Sequence, residues 1–179
     1  MRLSLLLIIL LLAAPVGAGE LRHETGGHGK LRIVGQWFPD DSLYRDEIGS
    51  SALDVAGELR LKLDSRLGRW TFDADWQLVG LSADTLPLTG LPSDDWRLFD
   101  LTGIISESSN EALLHRLDRL WLGYTSETTV VRCGRQALSW GNGLFHAPMD
   151  LVNPFDPAAI DTEYKTGDDM MYLQYLRAN

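Results

Sequence analysis

Residues 53–64 read Leu53-Asp54-Val55-Ala56-Gly57-Glu58-Leu59-Arg60-Leu61-Lys62-Leu63-Asp64, and residues 70–78 read Trp70-Thr71-Phe72-Asp73-Ala74-Asp75-Trp76-Gln77-Leu78. Apolar and polar side chains alternate with a period of two, which places them on opposite faces of an extended chain. Leu53, Val55, Leu59, Leu61, Leu63, Trp70, Phe72, Trp76 and Leu78 share one face, and Asp54, Glu58, Arg60, Lys62, Asp73, Asp75 and Gln77 share the other. With Ser65-Arg66-Leu67-Gly68-Arg69 as a turn between them, the two runs predict a hairpin of long strands. Strand length separates two architectures: soluble strands most often run about 5–6 residues, whereas a tilted strand crossing a bilayer needs roughly 9 to 11. A transmembrane β-barrel fits, with the apolar face on lipid and the charged face on water inside. A one-sided sheet of a soluble sandwich accounts for the same alternation and stays open.

Upstream, Lys30 to Trp37 predicts a strand with Leu31, Ile33, Gly35 and Trp37 on one face. Residues 19–29, with His23 and His28 among glycines, read as a flexible N-terminal segment; a metal site there is the competing reading. Downstream, a strand from about Ala112 to Tyr124 has conflicting parity, because Arg116 and Asp118 fall on the same face as Leu120, Leu122 and Tyr124. A bulge or a later strand start would reconcile them. Thr129 to Trp140 follows, with Val131 and Cys133 outward and Arg132 and Gln136 inward. Strict alternation keeps Arg132 and Arg135 apart unless Gly134 is bulged. A sixth strand begins near Asp169.

The connections then alternate long, short, long, short, long: Phe38 to Ser51, Ser65 to Arg69, Leu81 to Glu111, Thr125 to Thr128, Gly141 to Asp168. Outer-membrane barrels sort short periplasmic turns from longer external loops in this way, which puts the N-terminus on the periplasmic side. Residues 1–18 agree: Arg2, the apolar run Leu3 to Leu12 and the small residues Val16-Gly17-Ala18 make a signal peptide, and 30–179 is then the barrel-forming part. The formal net charge is −9, and −10 once Arg2 leaves with the signal segment, a balance that disfavours nucleic acid. The single cysteine, Cys133, has no internal partner and reads as a small apolar side chain.

Between the last two strands lies a segment rich in turn formers and apolar anchors: Gly134-Arg135-Gln136, Ser139-Trp140-Gly141-Asn142-Gly143 and Asn153-Pro154-Phe155-Asp156-Pro157, closing with Tyr164-Lys165-Thr166-Gly167-Asp168-Asp169. Over roughly residues 134–172 the chain resembles a group of Gram-negative outer-membrane β-barrels, porin-like or alginate-export-like. The resemblance implies an outer-membrane location, lipid as a partner and passive diffusion of small polar or anionic solutes. The loop Gly141 to Asp168 is expected to fold inward and narrow the channel.

Other chemistry finds little support. Asp156, Asp161, Glu163, Asp168 and Asp169 form an acidic group without the Asp-x-Asp-x-Asp-Gly pattern of a calcium loop. Ser139, His146 and Asp150 or Asn142 make a trio without a nucleophile elbow. No P-loop or dinucleotide pattern is present, so no cofactor, metal or catalytic residue is expected.

The reading is therefore an all-β antiparallel transmembrane sheet of about six strands. The expected pore-lining residues are Glu58, Arg60, Lys62, Asp73, Asp75, Arg132, Arg135, Gln136 and Lys165. Bacterial single-chain barrels have about eight strands or more, so these six form an open, curved sheet, completed by further strands of a longer chain or by further copies. A non-conducting structural or ligand-binding barrel is the alternative function, and an outer-membrane enzyme the third.

Overall fold

The computed structural model describes residues 20–95, 97–137 and 166–177. Seven strands and two single-turn helices follow in the order β1 (Leu21–Trp37), α1 (Arg45–Ile48), β2 (Ser51–Leu67), β3 (Trp70–Ala83), α2 (Leu86–Thr89), β4 (Thr102–Glu107), β5 (Glu111–Thr125), β6 (Thr129–Gln136) and β7 (Asp168–Tyr175). They form one open antiparallel sheet ordered β1-β2-β3-β5-β6-β7, with β4 also paired to β5. Among the described residues the outer edges of β1 and β7 have no strand beside them.

The register follows the alternation. Arg60 pairs with Gln77, Lys62 with Asp75 and Asp64 with Asp73, so the polar sides of β2 and β3 share one face. Leu59 pairs with Leu78 and Leu61 with Trp76 on the other. Gly68, at φ +58, is the first of two residues linking these strands, which suits a tight hairpin turn. The turn is shorter than the five residues expected because β2 runs on to Leu67.

Two expectations are corrected. Residues 21–29 are the first half of β1, paired continuously with Leu59–Leu67, and not a flexible tail. Backbone hydrogen bonds to β2 hold this glycine-rich stretch, whose side-chain pattern is too sparse to announce a strand. Among the described residues the strand count is seven, because the six-residue β4 lies inside the connection read as Leu81 to Glu111. Gly103 and two consecutive isoleucines hide its periodicity.

β5 is the pivot of the sheet. One of its edges runs along β3. The other is divided, with Ala112–Arg116 against β4 and Leu120–Thr125 against β6. On the β3 side, Asp75 pairs with Arg119 and Trp76 with Leu117, leaving Asp118 as the extra residue of a bulge. This bulge resolves the parity conflict: Arg116, Asp118 and Arg119 all serve the polar face, while Leu117, Leu120 and Leu122 stay on the apolar one.

The burial pattern is inverted relative to a water-soluble sheet. Leu31, Ile33, Leu59, Leu61 and Leu173 on the apolar face are between 44% and 70% exposed. On the polar face Glu58, Arg60, Asp75, Gln77 and Asp118 are at most 7% exposed, and Arg60, Leu114 and Gln77 are the largest fully buried side chains. Among the described residues the buried apolar ones, Phe38, Ala52, Ala56, Leu86, Ala112 and Leu114, are few, and half of them are alanines. No helix of the described residues is long and apolar enough to cross a membrane. The expected signal segment 1–18, the Trp-Gly and Pro-rich segment of the loop expected to narrow the channel, the trio Ser139, His146 and Asp150 or Asn142, the acids 156, 161 and 163, and Lys165 all lie outside the described residues.

Candidate functional site: the polar face of the sheet

Halfway along the long strands the polar face carries a belt of paired charges. Arg60 donates through Nε to Glu58 Oε1 at 3.1 Å and through Nη1 to Asp118 Oδ2 at 2.9 Å, and Nη1 lies 3.5 Å from Asp75 Oδ2. Gln77 donates to Glu58 Oε1 at 2.8 Å and accepts from Arg116 Nε at 2.6 Å; Arg116 also reaches Asp118 Oδ1 at 3.3 Å. Arg119 Nε sits 3.8 Å from Asp75 Oδ2. Three carboxylates thus face three guanidinium groups across β2, β3 and β5. The assembly depends on the bulge, since without the extra residue Asp118 would leave Arg60 and point to the apolar side. Buried charges persist only when paired in this way.

A second cluster closes the fork on β5 between β4 and β6. The Arg135 guanidinium holds Asp169 bidentately, Nε to Oδ1 at 3.0 Å and Nη2 to Oδ2 at 3.2 Å, and donates from Nη1 to Asp94 Oδ2 at 3.0 Å. It also donates to the main-chain oxygens of Leu117, at 3.4 Å, and Phe99. Leu117 lies where β5 passes from β4 to β6, so the planar five-donor group takes the place of a ladder hydrogen bond there. Asp94 and Phe99 belong to the connection between β3 and β4, and Leu101 O accepts from Leu117 N at 3.0 Å, so this connection descends to mid-strand. Gly167 reaches the same level, its amide 3.4 Å from Asp118 Oδ1. Burial alone would raise the Asp94 carboxyl. Hydrogen bonds from the Leu101 amide, Arg97, Arg135 and Thr102 outweigh it and hold the group at about 2.

The sequence-predicted residues divide accordingly. Glu58, Arg60 and Asp75 share the polar face as expected, but they are sealed in an ion-pair belt and do not line water. Lys62 and Asp73 are half-buried on the same face. Arg132 is half-buried there too, its guanidinium carbon 5.0 Å from the Trp121 ring centroid and 5.9 Å from that of Tyr172. Gln136 is buried and donates to Met170 O at 3.2 Å. Arg135, expected to line the pore, is instead buried and pinned between Asp169 and Asp94. The bulge offered to bring it alongside Arg132 is absent, for β6 pairs without register shift on both sides. Gly134 adopts φ +123 instead, in a position where a Cβ would lie 2.3 Å from Leu120 O.

Arg116, Asp118 and Arg119 are not among the expected pore-lining residues because a bulge cannot be located from alternation alone. Asp94 is not among them because nothing in a Pro- and Gly-interrupted connection marks the residue that turns inward. Among the described residues no group of His, Cys, Asp and Glu side chains is placed to hold a metal ion. No protein-family model matches the chain, and no curated protein or solved structure matches it either.

Proposed function

We propose that this chain forms part of the wall of an outer-membrane β-barrel, porin-like, through which small polar or anionic solutes diffuse. The observation that carries the reading is the inverted burial: the apolar face exposes Leu31, Ile33, Leu59, Leu61 and Leu173, while the mid-strand charges Glu58, Arg60, Asp75 and Asp118 are buried. In water a continuous apolar face of this kind is an aggregation surface; against hydrocarbon it is the stable arrangement. The lengths of β1, β2, β3 and β5, 14 to 17 residues, exceed the roughly 9 to 11 that a tilted crossing requires. Aromatic side chains collect near the short-turn end, where Trp70 and Tyr124 pack with centroids 5.0 Å apart and Tyr175 is exposed. Such rings suit a membrane interface. The unpaired edges of β1 and β7 call for strands beside them, from the same polypeptide or from further copies, because unpaired backbone groups in hydrocarbon cost several kcal/mol each.

A non-conducting barrel is favoured by one observation, the sealing of the mid-strand belt, where Arg60 is only 1% exposed. Swelling of vesicles reconstituted with the protein separates the two. Entry of a small neutral sugar at a rate above that of empty vesicles is the expected result. Correctly inserted protein without such entry would replace the channel by the non-conducting barrel.

A further inference from the structure

One row of the polar face lies just inside the short-turn end. The strand register brings Arg22, Arg66, Thr71, Gly123, Arg132 and Tyr172 side by side across β1, β2, β3, β5, β6 and β7. The acids Glu24, Asp64 and Asp73 occupy the next row inward. Over β2, β3, β5 and β6 the arginine row therefore lies outside the carboxylate row; on β1 Arg22 is met by the exposed Glu20 beyond it. At the centre of the row Gly123 has no side chain, and a cavity of about 340 Å³ opens above it, walled by Arg66, Arg132, Thr71, Thr125 and Trp121 together with the carboxylate of Asp64. The notch is built and not incidental. A Cβ on Gly123 would lie 2.8 Å from Trp121 Cζ3 and 3.4 Å from Arg132 Cγ, so the glycine lets the indole lean along the strand and carry the guanidinium over its ring. Stacking of this kind holds an arginine's in-plane N–H groups in a fixed fork that matches a carboxylate. Asp64 is engaged by Arg66, whose Nε donates to its Oδ1 at 3.2 Å, so two arginines stand against one carboxylate already in the wall.

From this arrangement we infer a binding site for a small organic carboxylate at the short-turn mouth, with Arg132 and Arg66 on the carboxylate, Thr71 offering a hydroxyl and the edge of Trp121 meeting the apolar part. The inference rests on the channel reading only in calling this a mouth. The volume suits a compact ligand, being at the lower end of the roughly 300 to 1,000 Å³ of small-molecule sites.

The test is titration of the full chain in detergent micelles with benzoate, with its neutral analogue benzyl alcohol and with inorganic phosphate, followed by calorimetry. Trp121 emission, obtained as the difference from Trp121→Phe, is the local readout. Saturable benzoate binding at least tenfold tighter than that of either comparator is expected. Arg132→Gln should weaken benzoate tenfold or more and Arg132→Lys should restore only part of it. Gly123→Val, which fills the notch without changing any charge, should abolish the Trp121 response. Should Arg132→Gln fail to fold, Gly123→Val and Arg66→Gln carry the test. Equal binding of benzoate and benzyl alcohol, equal or tighter binding of phosphate, or benzoate binding indifferent to Gly123→Val and Arg66→Gln would each overturn the inference. Sugar entry by the wild-type protein is scored separately, so a failed site with intact entry sinks the site alone, and failed entry with intact binding sinks the channel alone.

Discussion

Replacing Arg60 by methionine removes the hub of the mid-strand belt while nearly keeping its length. The guanidinium faces Glu58, Asp118 and Asp75 at 3.1, 2.9 and 3.5 Å, with side-chain exposures of 4% or less throughout. At an effective dielectric constant of about 20, one pair at 3 Å is worth roughly 5 to 6 kcal/mol of gross attraction. Desolvation offsets much of this, and breaking a buried pair by removing one partner costs about 3 to 5 kcal/mol, since the stranded charge stays buried. After the change Asp118 retains Arg116 and Asp75 retains Arg119, but among the described residues Glu58 keeps only the Gln77 amide, at 2.8 Å. Arg60→Met should thus lose stability in that range, measured by urea titration of the protein folded in lipid vesicles. Adding Glu58→Gln, which removes the stranded charge, should recover a substantial part, so that the double variant is more stable than Arg60→Met alone. A loss under about 1 kcal/mol for Arg60→Met, the value of an exposed pair, would refute the belt as a buried unit.

Three further outcomes are expected. Leu59→Arg, in the middle of the apolar face and 44% exposed, should cost about 2 to 4 kcal/mol in vesicles; equal folding of variant and wild type would count against that face touching lipid. Arg135→Lys keeps the charge but loses the fork that reaches Asp169, Asp94, Leu117 O and Phe99 O together, so amide hydrogen exchange in residues 97–101 should speed up at least tenfold while β1–β2 exchange stays unchanged. Asp94 is held at about 2, below its ordinary carboxylate value of about 3.9, so its contribution is complete above pH 4 and fades as the pH falls towards 2. Protection of the Leu101 amide should fall over that window, and in Asp94→Asn it should be weaker at neutral pH and flat with pH.

How much was legible in the chain follows from what alternation can and cannot carry. Leu53 to Leu78 announced both faces and the pairing of β2 with β3, because side-chain period alone fixes register once one face is apolar. The short turns at residues 68–69 and 126–128 were also readable, but the strict alternation of long and short connections is not kept, because β4 leaves only residues 108–110 before β5 at the long-connection end. The glycines at 26, 27, 29 and 35 blurred β1 until its partner was seen. The bulge at Asp118 shifts parity by one residue, and that offset is set by what it meets, Arg60 on one side and the Gly167 amide on the other. Arg135 was noticed for its chemistry but misjudged in its placement, because the fork it fills exists only where β4 and β6 share an edge of β5.

The central claim is that the apolar face of this sheet meets lipid and the charged face does not. Nitroxide labels placed singly at residues 55, 57, 59, 61 and 63 and at 54, 56, 58, 60 and 62, in a Cys133→Ser background inserted into vesicles, measure it directly through collision with oxygen, which concentrates in hydrocarbon, and with a water-soluble nickel chelate. High oxygen accessibility at every odd position and low accessibility at every even one, repeating along β2, is the predicted result. Equal access of both agents along the strand, or oxygen favouring the even positions, would contradict it.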